Sequence, residues 1–187
     1  MNSLSRIAAP SAVPSVKARF TTAEFLQMVE AGAFDDMKVE LVDGELERMN
    51  PPMNAHSDRQ GRATFRLMTV LGEDRVRVEI GVVLDDSTVL GCDVAVLHAP
   101  VRENRMLGVE DIALVVEIAE TTIARDMGMK RAKYASAGIA EYWVVDGGRS
   151  VVHVFAEPLD GEYASISTVR FGAPLAVPGT DRTITID

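Results

Sequence analysis

Residues 114–146 read LVVEIAETTIARDMGMKRAKYASAGIAEYWVVD, and this stretch decides the fold. It begins inside an almost uninterrupted apolar run, Ile112 to Ile118, which is typical of a β-strand covered on both faces. Arg125 to Ala137 is predicted to form a helix, and Gly138 is placed to end it. A second strand is predicted at Tyr142 to Val145. A buried strand, a helix and another strand in this order predict a sheet with a helix packed on it.

Three charged residues around this stretch indicate chemistry. Asp93 begins an apolar strand predicted over Cys92 to His98, and Glu117 lies at the end of the next apolar strand. Carboxylates in such positions cost free energy when they lose water, unless they are paired or bound to a metal ion. Two of them on adjacent strands can hold one hard divalent cation such as Mg²⁺, and Lys130 could reach the same point from the helix. These are the parts of a metal-dependent site that cleaves phosphodiesters.

A structural interpretation of the same residues stays open. Glu117 could form an ordinary ion pair with Lys130 or with Lys133. Asp126 and Lys130 are also four residues apart, which is the spacing of a common ion pair along a helix. On spacing alone, the structural interpretation is favoured over a metal site, because short motifs are weak evidence without their context.

Local patterns predict the remaining elements. Thr21 to Glu24 match a capping box that starts a helix over 22–31. Residues on both sides of Asp43-Gly44 alternate between polar and apolar, which predicts a hairpin. The other predicted elements are a helix over 58–72 capped by Ser57, strands over 75–84 and 151–155, and light β structure in 163–170 and 183–186. In the helix predicted over 125–137, Gly128, Ala132 and Ala135 form a face of small residues that lets the helix lie close to a sheet. The predicted fold class is α/β (α+β), a mixed β-sheet flanked by helices.

Composition limits the possible functions. The formal net charge is 19 − 28 = −9, which argues against a broadly basic protein that coats nucleic acid. The charge is uneven: Glu24 to Glu47 carries most of the negative excess, whereas Glu120 to Tyr134 has a small positive one. A ligand that bears phosphate would favour the second region.

The remaining sequence features concern organisation and location. Cys92 is the only cysteine, so no disulfide within the chain is expected. No apolar run approaches the roughly 18 residues that span a membrane. Residues 1–18 are interpreted as a flexible N-terminal arm and 19–187 as one domain, and the cytoplasm is the expected location.

Several motifs occur in a fixed order along about two thirds of the chain. They are VELVDGE (39–45), NPP (50–52) followed by His56, CDVAV (92–96), LVVEI (114–118), Thr121-Thr122, Asp126, Lys130, Tyr134, Ala137-Gly138 and EYWVVD (141–146). Together they resemble the motifs of the Uma-two family of restriction-endonuclease-like proteins, a branch of the PD-(D/E)XK nuclease superfamily. The last section is the most specific, because many unrelated positions agree at fixed spacing.

The resemblance implies a restriction-endonuclease-like fold and a DNA endonuclease that uses Mg²⁺ or Mn²⁺. It implies that Asp93 and Glu117 bind the metal ion. It also implies that Lys130 replaces the lysine that the superfamily motif places two residues after the second acid, where this chain has Ala119. Endonucleases of this type often act as homodimers because a duplex has two strands, so a homodimer is expected.

Three more residues are candidates for this site. Glu40 could be a further acid near the metal ion or a strand carboxylate that faces solvent. Glu120 stands where the family has serine, and this extra carboxylate could add a ligand or repel phosphate. His56 could act as a proton shuttle or ligand, or it could shape a loop.

Basic residues could contact a DNA backbone. Arg59, Arg62 and Arg66 share one face of the predicted helix 58–72, and Lys133 lies near the proposed site; a solvated helix face is the more common reason for such a pattern. Three functions therefore follow from the sequence. The first is a Mg²⁺-dependent DNA endonuclease, the second is a non-catalytic interaction or regulatory module that retains the nuclease fold, and the third is a hydrolase of small phosphoesters.

Overall fold

The computed structural model describes residues 17–187, so residues 1–16 of the expected N-terminal arm lie outside the described residues. The helices are α1 (Thr22–Glu30), α2 (Asn54–Leu71), α3 (Ile123–Arg125) and α4 (Arg131–Ser136), with a π-helical turn at Asp126–Lys130 between the last two; short 3₁₀ turns cover Glu73–Arg75 and Val109–Asp111. The strands are β1 (Val39–Val42), β2 (Glu45–Arg48), β3 (Val76–Asp85), β4 (Thr88–Leu97), β5 (Leu107–Gly108), β6 (Ile112–Ala119), β7 (Glu141–Asp146), β8 (Val151–Leu159), β9 (Glu162–Arg170), β10 (Leu175–Ala176) and β11 (Thr183–Ile184).

Within residues 17–187, nine strands form one mixed sheet. Its order is β2-β1-β4-β6-β7-β8-β9, and β3 pairs with both β4 and β5. The pairs β6–β7 and β3–β5 are parallel, and the other pairs are antiparallel. Strands β10 and β11 form a separate small sheet. The predicted mixed sheet flanked by helices is confirmed.

Along one of its edges, β4 pairs first with β1 and then with β6. The residues between these two pairings form a gap in the sheet. β1 pairs with β4 at Val89, whereas β6 pairs with it from Val94 onward. Between these points, side chains bond the backbone of Gly91: its N–H donates to Glu40 Oε1 at 2.9 Å, and its carbonyl accepts from Lys130 Nζ at 2.8 Å. Buried backbone groups need hydrogen-bond partners, and charged side chains supply them here.

Buried clusters lie on both faces of the sheet. On one face, Leu67 of α2 packs in a cluster with Trp143 of β7. On the other face, Tyr134 of α4 packs with Tyr142 and Phe155, and the Tyr134 and Tyr142 ring centroids are 5.0 Å apart. Strands β6 and β7 are therefore covered on both sides, which explains their continuous apolar sequences. Tyr142 and Trp143 are both fully buried.

Two local predictions are confirmed in detail. The Thr21 side chain accepts a hydrogen bond from the Glu24 N–H, and the Glu24 carboxylate accepts one from the Thr21 N–H, so the capping box is complete. Between β1 and β2, Asp43 and Gly44 both have positive φ, at 49° and 79°. Two such residues favour the tight hairpin turn that matches the twist of the strands.

The predicted start of the second helix is wrong. Helix α2 begins at Asn54, and its N-cap is Met53, which provides no side-chain cap. Ser57 lies inside the first turn, where its N–H donates to the Met53 carbonyl. The prolines Pro51-Pro52 keep the chain extended before the helix, and the helix begins soon after them without needing a polar cap.

Two other elements differ from their predictions. Strand β4 begins at Thr88 instead of Cys92, because it pairs with β3 along nearly its full length. The predicted single helix contains a π turn, in which the Arg131 N–H donates to the Asp126 carbonyl five residues earlier. The predicted small-residue face is wrong at Gly128, which is exposed and where an added Cβ would meet nothing within 4 Å, whereas Ala135 is buried against the sheet.

Candidate active site

Carboxylates from three strands meet beside the gap in the sheet. Glu40 comes from β1, Asp93 from β4 and Glu117 from β6. The π turn faces them and buries Asp126 and Lys130. The structure therefore brings together the predicted Asp93, Glu117 and Lys130, and it adds Glu40. The alternative that Glu40 faces solvent is wrong, since only 2% of this residue is exposed.

The Lys130 ammonium is almost fully enclosed. It is 4% exposed, and its Nζ lies 2.9 Å from Glu117 Oε1, 3.3 Å from Glu40 Oε1 and 2.8 Å from the Gly91 carbonyl. Burial alone would lower the pKa of Lys130, but the negative charges of Glu117 and Glu40 outweigh it and raise that pKa. Lys130 therefore stays charged. Two of the three ammonium hydrogens donate, one to the Gly91 carbonyl and one to Glu117 Oε1, while Glu40 Oε1 is close enough for an ion pair.

The two carboxylate oxygens of Glu117 have different surroundings, one inside the protein and the other beside a cavity. Its Oε1 accepts hydrogen bonds from Lys130 and from the Tyr134 hydroxyl, the latter at 3.1 Å. Its Oε2 accepts no side-chain hydrogen bond from residues 17–187, and Glu117 is part of the cavity wall. Burial raises the pKa of Glu117, Lys130 opposes this effect, and the charges of Asp93 and Asp126 add to it.

Asp93 is held by the backbone of β6 and by α2. Its Oδ2 accepts from the Ile118 N–H at 2.7 Å, and His56 Nε2 lies 3.2 Å from its Oδ1. The hydrogen bond to Asp93 raises the pKa of His56. Gln60, one helical turn beyond His56, donates to the Asp93 carbonyl at 2.9 Å. His56 thus lies in the first turn of α2, not in the loop that the sequence allowed.

Arg125 completes the charged cluster. One end of its guanidinium binds Glu40 Oε2, and the other binds Glu47 Oε2. Glu40 is consequently fixed at three points, by Arg125, by Lys130 and by the Gly91 N–H. No local sequence signal pointed to Arg125 or Glu47, because the contact joins residues 78 positions apart. Tyr134 could have been noticed, since it continues the four-residue spacing of Asp126 and Lys130.

A cavity of about 600 Å³ opens onto this cluster. Its polar wall includes His56, Asp93, Glu117, Arg125 and Lys130, and its apolar wall includes Phe25, Phe34, Met37, Met49 and Met106. A volume of this size is typical of sites that bind small molecules or part of a larger ligand.

The other predicted site residues form ion pairs of their own, although Glu120 lines the same cavity as Asp93 and Glu117. Glu120 pairs with Arg59, so its charge is compensated. The remaining pairs are Arg62 with Asp58, Arg66 with Asp187, and Lys133 with Asp43. The four predicted contacts to a DNA backbone are thus all engaged with carboxylates of this chain.

The donor set suits a hard divalent cation. Asp93 and Glu117 offer carboxylate oxygens, and a cation would favour the ionised form of Glu117, whose pKa burial raises. Residues 17–187 contain no arrangement of three or more His, Cys, Asp or Glu side chains ready to hold a metal ion. An ion such as Mg²⁺, which keeps several waters, needs only one or two protein carboxylates.

A mixed sheet with helices on both faces, and with acids from neighbouring strands beside a helix-borne lysine, defines a protein of the restriction-endonuclease-like class. The sequence matches the Uma2 (Uma-two) family, described as "Putative restriction endonuclease", over residues 22–186. The chain belongs to this family, and this membership supports a nuclease function.

Comparison with solved structures agrees with the fold. A crystal structure of a "putative nuclease belonging to DUF820" from Anabaena variabilis is similar, with a TM-score of 0.62 and 17% sequence identity. The similarity covers 85% of this chain and 89% of that chain. At this identity the likeness concerns the fold alone. No curated protein matches the chain, and within residues 17–187 no helix is both long and apolar enough to cross a membrane.

Proposed function

We propose that this protein is a metal-dependent endonuclease that hydrolyses phosphodiester bonds in DNA. The supporting observation is the state of Glu117, a buried carboxylate with one oxygen anchored inside the protein and the other available to a cavity. Burying a carboxylate is costly unless it is paired or bound to a cation. Lys130 and Tyr134 fix its position, and Asp93 lies close enough for its charge to affect the pKa of Glu117.

Asp93 and Glu117 are the residues that would hold Mg²⁺ or Mn²⁺. When bound, such an ion supplies charge for a phosphoryl oxygen and lowers the pKa of a coordinated water. The contribution of this chain is to fix the two acids. The Ile118 N–H and His56 orient the Asp93 carboxylate, while Lys130 and Tyr134 orient Glu117.

Lys130 has a positioning role in this proposal. The residue is buried, and its ammonium already bonds the Gly91 carbonyl and Glu117 and pairs with Glu40, so it acts on the substrate through Glu117. Glu40 is the second acid that holds Lys130, and Arg125 holds Glu40 in turn. Glu120 belongs to a separate ion pair, so its negative charge is compensated before phosphate approaches.

Arg48 is better placed to meet phosphate than the arginine face of α2. It lines the cavity together with Lys38 and Arg125, but Lys38 pairs with Glu79, and Arg125 pairs with two glutamates. Arg48 is exposed and forms no ion pair within residues 17–187, which leaves its charge available for a phosphate of the substrate. Contacts of this kind position a duplex without reading its sequence.

A plasmid assay with matched variants tests the proposal. Pure protein with Mg²⁺ or Mn²⁺ is expected to nick or linearise supercoiled plasmid, and Asp93→Asn should reduce the rate at least about 100-fold through the loss of one metal-binding charge. Glu103→Gln removes an exposed carboxylate in the loop before β5 that does not line the cavity, and this variant should cut like the parent. Intact plasmid with both ions, or full activity of Asp93→Asn, would contradict the proposal.

A non-catalytic module that retains the nuclease fold is the second candidate. It is favoured by the enclosure of Lys130 among Glu117, Glu40 and the Gly91 carbonyl, and by the lack, within the described part of the chain, of a ready group of three metal ligands. Titration calorimetry with Mn²⁺ separates the two. A single site that disappears in Glu117→Gln excludes the non-catalytic module, whereas no binding at millimolar Mn²⁺ selects it.

The size of the cavity favours a third candidate, a hydrolase of small phosphoesters. A cavity of about 600 Å³ can enclose a small phosphoester, which a DNA duplex does not need. Activity on nucleotides or on an aryl phosphodiester, with plasmid left intact under the same conditions, would select this function over DNA cleavage.

A further inference from the structure

The outer edge of β9 is an open strand edge. β9 is the last strand of its sheet, and its only strand partner within residues 17–187 is β8. Five consecutive residues, Ala164 to Thr168, are exposed. Backbone N–H and C=O groups on such an edge are free to pair with another strand.

The two edges at the ends of this sheet are treated differently. β2, at the other end, has only four residues, and three of them are the charged Glu45, Glu47 and Arg48. Short length and charge are the usual ways in which proteins prevent edge-to-edge association. β9 has nine residues, and the seven from Tyr163 to Val169 include no charge and no proline. The unprotected edge can therefore accept another strand.

We propose that β9 pairs with β9 of a second copy of this chain, antiparallel, around a two-fold axis at Ile166. In this register the residue numbers of opposite residues add to 332. Glu162, whose exposed carboxylate lies 3.5 Å from Arg131 of its own chain, then lies opposite Arg170 of the second copy, and the symmetry repeats this pair at the other end of the strand. Opposite charges directly across two strands stabilise the pairing, and like charges destabilise it. A shift by two residues would lose both pairs.

Ile166 gives the axis an apolar contact. It is 61% exposed and lies in the middle of β9. In the proposed register it meets its own copy across the axis, so both isoleucines lose contact with water. The interface is isologous, as in most dimers, and it extends the sheet continuously from one copy to the other. It does not depend on nuclease activity, since none of the residues involved lines the cavity.

Sedimentation equilibrium of the full chain tests the dimer. The parent is expected to be dimeric at micromolar concentration, and Ile166→Lys, which places two lysines against each other on the axis, is expected to be monomeric. Phe65→Lys is the matched control, because Phe65 is a 71% exposed apolar residue on α2; it should remain dimeric. A monomeric parent at 100 μM, or a dimeric Ile166→Lys variant with unchanged thermal stability, overturns the proposal.

Charge exchange tests the register. Arg170→Glu places two glutamates opposite each other at both ends of the strand and should weaken the dimer by roughly tenfold or more. The double variant with Glu162→Arg and Arg170→Glu reverses both pairs and should restore the dimer. A double variant as weak as Arg170→Glu alone would show that these residues do not face each other, and the register would be refuted.

Cysteine cross-linking locates the axis directly. Cα atoms of directly opposite residues in an antiparallel pair lie about 4.5–5.5 Å apart, within the range of a disulfide. Ile166→Cys should therefore form a covalent dimer under mild oxidation. Ala164→Cys, on the same side of the strand, would be about 13 Å from its own copy and should not. The native Cys92 is buried and does not interfere. Equal cross-linking of both variants, or cross-linking of Ala164→Cys alone, overturns the proposal.

Discussion

Replacing Lys130 with methionine should destabilise the fold by about 3–5 kcal/mol, the usual cost of removing one member of a buried ion pair. Methionine fills much of the same space, so the loss is mainly one of charge. Glu117 and Glu40, which are 3% and 2% exposed, would lose their shared cation, and the Gly91 carbonyl would lose its donor. Domains of this kind have about 5–15 kcal/mol of stability in total, so the change is large.

The natural probe for this measurement is Trp143, the only tryptophan, which is fully buried in β7. Urea unfolding followed by its fluorescence gives the free energy of unfolding, and the thermal midpoint should fall by about 6–20 °C. Lys133→Met is the matched control. Its ion pair with Asp43 is partly exposed, and the expected loss is less than about 1 kcal/mol.

The effect of Lys130→Met should depend on pH in a defined direction. Burial raises the pKa of Glu117 in the folded state, and Lys130 opposes this; without Lys130 the folded pKa is higher still. A folded pKa above the unfolded value of about 4.3 means that stability is greatest below the unfolded pKa and falls as pH rises through the folded one. The cost of the substitution should therefore be smaller near pH 4 than at pH 7, and adding Glu117→Gln should recover part of it. A loss below about 1 kcal/mol at pH 7 would refute the argument.

Three smaller changes have expected outcomes in the same urea assay. Thr21→Ala should cost about 1 kcal/mol, because it removes the side-chain cap of α1; an unchanged midpoint would contradict this. Gly147→Ala places a Cβ against the ion pair of Glu120 and should cost about 1–2 kcal/mol, whereas Gly148→Ala, with its nearest contact at 3.4 Å, should be neutral; equal effects would contradict the packing. Tyr134→Phe removes a buried hydrogen bond to the site and should cost about 1 kcal/mol, measured against the parent at pH 7.

The sequence predicted those features that depend on neighbours along the chain. The capping box at Thr21 and the hairpin at Asp43-Gly44 were predicted because a few adjacent residues define their geometry. The continuous apolar run of β6 predicted burial on both faces. The start of α2 was mispredicted because Ser57 is the better capping residue, yet the helix needs no side-chain cap after Pro52. At this position, the extended chain at Pro51-Pro52 outweighed the capping preference of Ser57.

The parts of the candidate site that the sequence did not reveal depend on tertiary contacts. Glu40 looked like a strand residue that could face solvent, because its alternation with apolar neighbours is the same in either case. It is buried because β1 meets β4 only at one end, which leaves room beside Gly91 for a carboxylate. The role of Arg125 depends in turn on this burial, since a second buried glutamate beside Glu117 needs a further cation. These contacts exist only once the sheet has formed, so neighbouring residues in the sequence do not indicate them.

The π turn within the predicted helix also depends on tertiary contacts. In a regular α-helix every fourth residue advances by about 40°, so Asp126, Lys130 and Tyr134 would drift around the helix by about 80°. The wider turn at Asp126–Lys130 offsets this drift and keeps all three side chains buried toward the sheet. π turns are less stable than α turns and are frequent at functional sites. This cost is offset because the π turn lets Lys130 contact Glu117 and Glu40 and lets Tyr134 donate to Glu117. The contacts with these two acids therefore stabilise the distorted turn.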